Sequence, residues 1–143
     1  TAHPSWLALG VGEGRTRGTA EALNPMISLS TAKRAVDFAR HQGIRIRRDK
    51  SGTMEKLGVM GLYIRFLGRR WIFVRHGESF AVLVHELGHH LDRPFRCGFE
   101  AERRANAQAV RFLRIYGSKE DVSAYQLAMG IPVTRLTRNS LII

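Results

Sequence analysis

The sequence predicts an α+β domain in which several helices pack beside a small, mostly antiparallel sheet. Three observations carry this expectation. The chain has 143 residues, 44% hydrophobic and 24% charged, enough to bury one core and too few for two. Two short runs of β-type composition, Leu62-Tyr-Ile-Arg-Phe66 and Trp71-Ile-Phe-Val74, flank Leu67-Gly-Arg-Arg70, the arrangement of a hairpin. Segments with helical apolar spacing lie on both sides of that hairpin.

The elements follow in chain order. Residues 1–29 are expected to form a flexible arm, and residues 30–143 a single domain. Within the arm, Gly10-Val-Gly-Glu-Gly14 has neither the lysine of a phosphate-binding loop nor a strand ahead of it. Ser30 is the expected cap of a helix over Thr31–His41, whose Ala32, Ala35, Val36 and Ala39 form an apolar stripe. Gly43 ends that helix, and the alternation in Ile44-Arg-Ile-Arg-Arg48 reads as a half-exposed strand. Lys50–Gly58 reads as loop. After the hairpin, a helix runs from Ser79 to about Leu91 and stops at Asp92-Arg-Pro94. A longer helix spans Phe99–Tyr116 up to Gly117. Ser118 caps a last helix, Lys119–Met129, which Gly130-Ile-Pro132 breaks. The segment Gln126–Arg138 has the outline of a helix-turn-helix, with Gly130 at the turn, although a helix packed on the core accounts for it as well.

Composition excludes several classes. The longest unbroken apolar run, Phe80–Val84, is far short of a membrane span, and no basic segment precedes the apolar start as in a signal peptide. One cysteine, Cys97, rules out an intrachain disulfide framework and fits a reducing, cytoplasmic compartment. The chain does not begin with Met, as expected of a processed chain or of a module cut from a longer protein. Charge is the anomaly: 23 basic residues, 19 of them arginine, oppose 12 acids and leave a net +11. Such a field is expected to attract a nucleic-acid or acidic partner, although arginines spread along a chain are also compatible with plain solvation.

The strongest chemical signal is His85-Glu-Leu-Gly-His89. Residues i and i+4 share a helical face, so His85 and His89 can offer ring nitrogens to one metal ion. Zn²⁺ is the natural choice for two imidazoles and a carboxylate, because it acidifies a bound water at neutral pH. Glu86 borders the same site as the candidate catalytic base. Gly88 costs about 1 kcal/mol relative to alanine inside a helix, which implies a close-packing reason for it.

A third ligand is needed, and few residues qualify. The extended histidine pattern would need glycine at 92 and a ligand at 95, where this chain has Asp92 and Phe95. Arg93 occupies the next helical position after His89, and one straight helix cannot wrap three ligands around an ion through Asp92. Turning about 100° per residue along the next helix puts Glu102 within about 20° of Ala109 and Leu113, with Glu100 on roughly the opposite side. The candidate ligands are therefore His85, His89 and Glu102. His76, His90, Tyr63, Tyr116 and Cys97 are secondary candidates, the tyrosines as phenol donors to an oxyanion and Cys97 as a thiol between the two helices.

The segment Glu102-Arg-Arg-Ala105-Asn106-Ala-Gln-Ala109, 13 residues past His89, resembles the E-x-x-A-N-x-x-A segment of the ImmA/IrrE family of metallopeptidases. Gly61-Leu-Tyr-Ile-Arg65, the hairpin, the apolar approach to His85-Glu-Leu-Gly-His89-His90 and the helix–strand stretch 31–48 resemble that family too, so the likeness covers about residues 30–116. The resemblance implies a small zincin-like domain of gluzincin type, with an active-site helix and a second zinc-bearing helix beside the sheet. It also implies a zinc-dependent metallopeptidase acting on a protein or peptide, in some members a regulatory protein. Two alternatives remain open at this point: a basic nucleic-acid-associated module whose metal site is structural or lost, and a metallopeptidase module from a larger phage or toxin protein.

Overall fold

A computed structural model describes residues 26–92 and 98–132. It is an α+β arrangement of five helices and three strands among the described residues: α1 (Leu29–His41), β1 (Ile44–Asp49), α2 (Thr53–Leu57), β2 (Gly61–Phe66), β3 (Arg69–Arg75), α3 (Phe80–Leu91), α4 (Gly98–Tyr116) and α5 (Lys119–Ala128). Most of the expected N-terminal arm, Cys97, and the residues from Val133 onward in the helix-turn-helix outline lie outside the described residues.

Helix α1 buries Ala32, Ala35, Val36 and Ala39, the stripe expected of it. Its cap is Ser28 rather than Ser30: the Ser28 hydroxyl accepts from the Thr31 N–H at 3.3 Å. Both serines suit a cap, and a distant contact selects between them. The Ser28 N–H donates to Asp121 Oδ1 at 2.8 Å, and the Thr31 hydroxyl donates to Asp121 Oδ2 at 2.6 Å. Asp121 also completes a capping box with Ser118, so one buried carboxylate ties together the N-termini of α1 and α5.

The expected loop after β1 contains the short helix α2. Asp49 organises it by accepting from the Ser51 N–H at 3.0 Å and the Met54 N–H at 2.7 Å. Five residues with only Met54 buried carry no readable periodicity.

The sheet has the order β1-β3-β2. It is mixed rather than mostly antiparallel: β1 runs parallel to β3, and β2 antiparallel to it. The hairpin is tight, with Leu67 and Gly68 both at positive φ (51° and 76°), which matches strand twist in a two-residue turn. The second hairpin strand therefore returns along the direction of β1, and it is this strand that lies in the centre. A lone strand with no tight turn to its neighbour gives no local sign of its direction, which is why the sequence does not reveal the parallel pair.

Ile44, Ile72 and Val74 point from the sheet into the core, where they meet Val36, Leu83, Leu87 and Leu113. Helix α1 packs on β1, α3 packs on β2 and β3, and α4 packs against α3. Phe80–Gly88 is buried throughout, so α3 is the central helix and holds whatever it carries rigidly.

Candidate metal centre

The close approach of α3 and α4 is set by small residues. A Cβ on Gly88 would stand 2.1 Å from the Ala105 carbonyl oxygen, so only glycine fits there. Ala105 and Ala109 are fully buried on the facing side of α4. This seam brings side chains from both helices to one point.

That point is shared by His85, His89 and Glu102, whose ligand atoms all lie within 4.8 Å of one another. Glu102 Oε2 is 2.6 Å from His89 Nε2, and Glu102 Oε1 is 3.4 Å from His85 Nε2. The two rings lie nearly perpendicular, with centroids 4.9 Å apart. The histidines come from one face of α3 and the carboxylate from the first turns of α4.

His85 is oriented from behind. Its Nδ1 lies 2.8 Å from Asn106 Oδ1, which also accepts from the Tyr125 hydroxyl at 2.6 Å. Because that amide oxygen is an acceptor, Nδ1 carries the proton and Nε2 presents its lone pair to the Glu102 carboxylate. Two acceptors facing each other repel unless a cation or a proton lies between them. Burial, with His85 nearby, holds the His89 imidazole below the ordinary histidine range despite Glu102. The donor set is therefore two imidazoles and a carboxylate converging, which suits a divalent transition metal.

Glu86 is buried beside this cluster. Removal from water, with the Glu102 charge adding to it, pushes its carboxyl up to about 8, against the Tyr63 backbone N–H that it accepts. Its Oε2 would lie 2.9 Å from a Cβ on Gly61, so β2 passes directly alongside it. Tyr125, fully buried, is held well above the usual phenol range by burial and then by the Glu86 and Glu102 charges, so it stays a donor.

The other sequence candidates have other places. Glu100 is on the exposed side of α4, paired with Arg103 at 2.9 Å. Asp92 caps the end of α3 and pairs with Arg104 of α4 at 2.9 Å, bracing the two helices. His90 accepts from the Tyr63 hydroxyl at Nδ1 (2.9 Å), and its Nε2 lies 3.3 Å from Gln42 Oε1, so the Tyr63 phenol is engaged away from the cluster. Tyr116 packs on Phe38 and Phe112. His76 lies beside Arg48, Asp49, Glu55 and Arg75. Of the hairpin arginines, Arg65 and Arg69 are exposed, Arg70 is half-buried, and Arg75 pairs with Glu78.

Sequence reasoning gave no role to Asn106 or Tyr125. Asn106 follows Glu102 by one helical turn, a spacing that signals a shared face. Tyr125 reaches His85 across 40 residues, and no local pattern announces it.

Comparison with known protein families, characterised proteins and solved structures gives no match to this chain.

Proposed function

We propose that this chain is a zinc-dependent metallopeptidase, with His85, His89 and Glu102 as ligands and Glu86 as the catalytic base. The observation that carries the reading is the convergence of those three ligand atoms within 4.8 Å, next to a buried carboxylate on the same helix. A zinc ion bound there supplies Lewis acidity toward a carbonyl oxygen and acidifies a water.

The chain's own groups supply the rest. Glu86, the carboxylate beside the cluster, would in its ionised form take a proton from water and return it to the departing amine. Asn106 and Tyr125 keep the His85 ring in one orientation and one tautomer. The edge of β2 offers a track for an extended peptide. Arg75 N–H bonds to the Met60 carbonyl, so by alternation the N–H and C=O groups of Gly61, Tyr63 and Arg65 face away from β3. The Tyr63 N–H is taken by Glu86 on that side, so an added peptide would pair through Gly61, Arg65 and the Tyr63 carbonyl and lie beside the base. The substrate class is accordingly an extended segment of a protein or peptide, possession of a free backbone being its main requirement.

The test pairs metal analysis with hydrolysis of casein and of a quenched-fluorescent peptide mixture. Wild-type chain is expected to hold one zinc and to cleave. Glu86→Gln is expected to keep the zinc and lose hydrolysis, because an amide cannot accept the proton. Unchanged turnover in that variant refutes the mechanism.

A further inference from the structure

The side of the sheet turned away from the helices has its own chemistry. Strand alternation places Arg45 and Arg47 of β1, Trp71 and Phe73 of β3, and Leu62, Ile64 and Phe66 of β2 on it. The register sets Arg45 beside Trp71 and Arg47 beside Phe73, while Phe66 neighbours Arg69. None of these apolar side chains belongs to the core cluster, and Leu62 and Phe66 are 44% and 62% exposed. The residues that the sheet packs with the helices in the core, Ile44, Ile72 and Val74, lie on its other face. Arg45, Arg47 and Arg69 have no acidic partner among the described residues, and Asp49, at the end of the face, is occupied by Ser51 and Met54.

This face, half-buried at Ile64, Trp71 and Phe73 and exposed at Leu62, Phe66 and the arginines, suits an occupant that is flat and apolar in parts and anionic in others. Trp71 and Phe73 stand two residues apart on the central strand, about 7 Å, each with a guanidinium at its side. A nucleic-acid strand with unstacked bases has both properties: base faces for the rings and phosphates for the arginines. A duplex hides its base faces, and an acidic peptide has none. The net charge of +11 favours the same partner.

We propose that this sheet face binds single-stranded nucleic acid, with bases stacked on Trp71 and Phe73 and phosphates held by Arg45, Arg47 and Arg69. The surface lies across the sheet from α3 and uses no residue of the candidate metal centre, so the proposal stands apart from the peptidase reading.

The test uses the full chain carrying Trp6→Phe, which leaves Trp71 as its only indole. An eight-nucleotide oligothymidylate is expected to quench Trp71, with chelator making no difference. Log affinity is expected to fall with log salt at a slope of about −2, from about 0.7 for each of three phosphates. Arg45→Ala with Arg47→Ala, both exposed and so tolerated by the fold, is expected to weaken binding and flatten that slope by about 1.4. Phe73→Leu is expected to cost about ten-fold in affinity with the slope unchanged. Binding without Trp71 quenching, equal binding of a duplex, or indifference to both variants overturns the proposal. So does shielding of Trp71 from acrylamide in the free chain, which would mean that another part of the chain covers the face. Self-association lost in Phe66→Ser would likewise overturn it, by assigning the face to a second copy.

Discussion

Replacing Gly88 with alanine tests the seam on which the candidate metal centre depends. Helix propensity alone favours the change by about 1 kcal/mol. Packing opposes it, because the new methyl would lie 2.1 Å from the Ala105 carbonyl oxygen and 2.9 Å from its carbon. Ordinary contact needs about 3.5 Å, so α3 and α4 must part by more than 1 Å. Both obstructing atoms are backbone in the interior of a 19-residue helix and cannot rotate aside. Overpacking costs about 1–3 kcal/mol, and against backbone atoms that cannot rotate aside about 2–3, which exceeds the propensity gain. Glu102 sits one turn ahead of Ala105, so the same displacement draws its carboxylate off His89, now 2.6 Å away. We expect Gly88→Ala to lose about 1–2 kcal/mol of stability without metal, measured by urea unfolding in chelator. We expect a further ten-fold or greater loss of zinc affinity by competition titration. A variant as stable as wild type, with unchanged zinc affinity, would show that the helices do not meet at this position.

Three further outcomes are expected. Glu102→Ala should reduce zinc affinity steeply while Glu100→Ala leaves it nearly unchanged, because Glu100 is spent on Arg103; equal effects in a metal titration would reverse the rotation assigned to α4. Gly61→Ala should keep full zinc stoichiometry but lower turnover, since its Cβ would stand 2.5 Å from Val82 Cγ1 and 2.9 Å from Glu86 Oε2, side-chain atoms that can yield; loss of zinc in that variant would contradict this division. Asp121 gives the pH dependence: burial raises its carboxyl, but the bonds from Ser28, Thr31 and Ser118 outweigh it and leave the pKa lowered. Its contribution is then complete above the ordinary carboxylate value of about 3.9 and is lost as pH falls through the lower folded-state value. The urea midpoint of wild type should therefore drop in acid more than that of Asp121→Asn, and parallel curves would refute the assignment.

What the sequence reveals and what it conceals divide along a physical line. Helices α1, α3, α4 and α5 are readable because each shows its buried stripe or its cap within a few residues. The hairpin is readable for the same reason, although its turn takes only Leu67 and Gly68 of the four residues expected for it, and β3 begins at Arg69. Gly88 is readable as an anomaly, since glycine inside a helix costs stability and so signals a close neighbour, and that neighbour is Ala105. Helical rotation separates Glu102 from Glu100 without coordinates. The concealed features all depend on partners far along the chain. Ser28 replaces Ser30 as a cap because Asp121 lies 93 residues away. The parallel pairing of β1 with β3 has no tight turn to announce it, and α2 exists because one side chain, Asp49, gathers two amides. Tyr125 joins the cluster only once α5 has docked.

The division between candidate metal ligands and candidate base follows from which surfaces hold them. His85, His89 and Glu102 are positioned by the contact of α3 with α4, and Asn106 and Tyr125 reinforce that contact from α4 and α5. Glu86 belongs to the same helix as the histidines but faces the sheet, where Gly61 leaves it room and the Tyr63 N–H bonds to it. One helix therefore serves two interfaces, with the candidate ligands toward the helices and the candidate base toward the edge strand β2. Under the proposed function this arrangement would separate metal affinity from proton transfer, because the first would depend on a small-residue seam and the second on a strand-to-helix gap. Burial of Phe80–Gly88, driven by its apolar residues, leaves the groups on both sides of α3 little freedom.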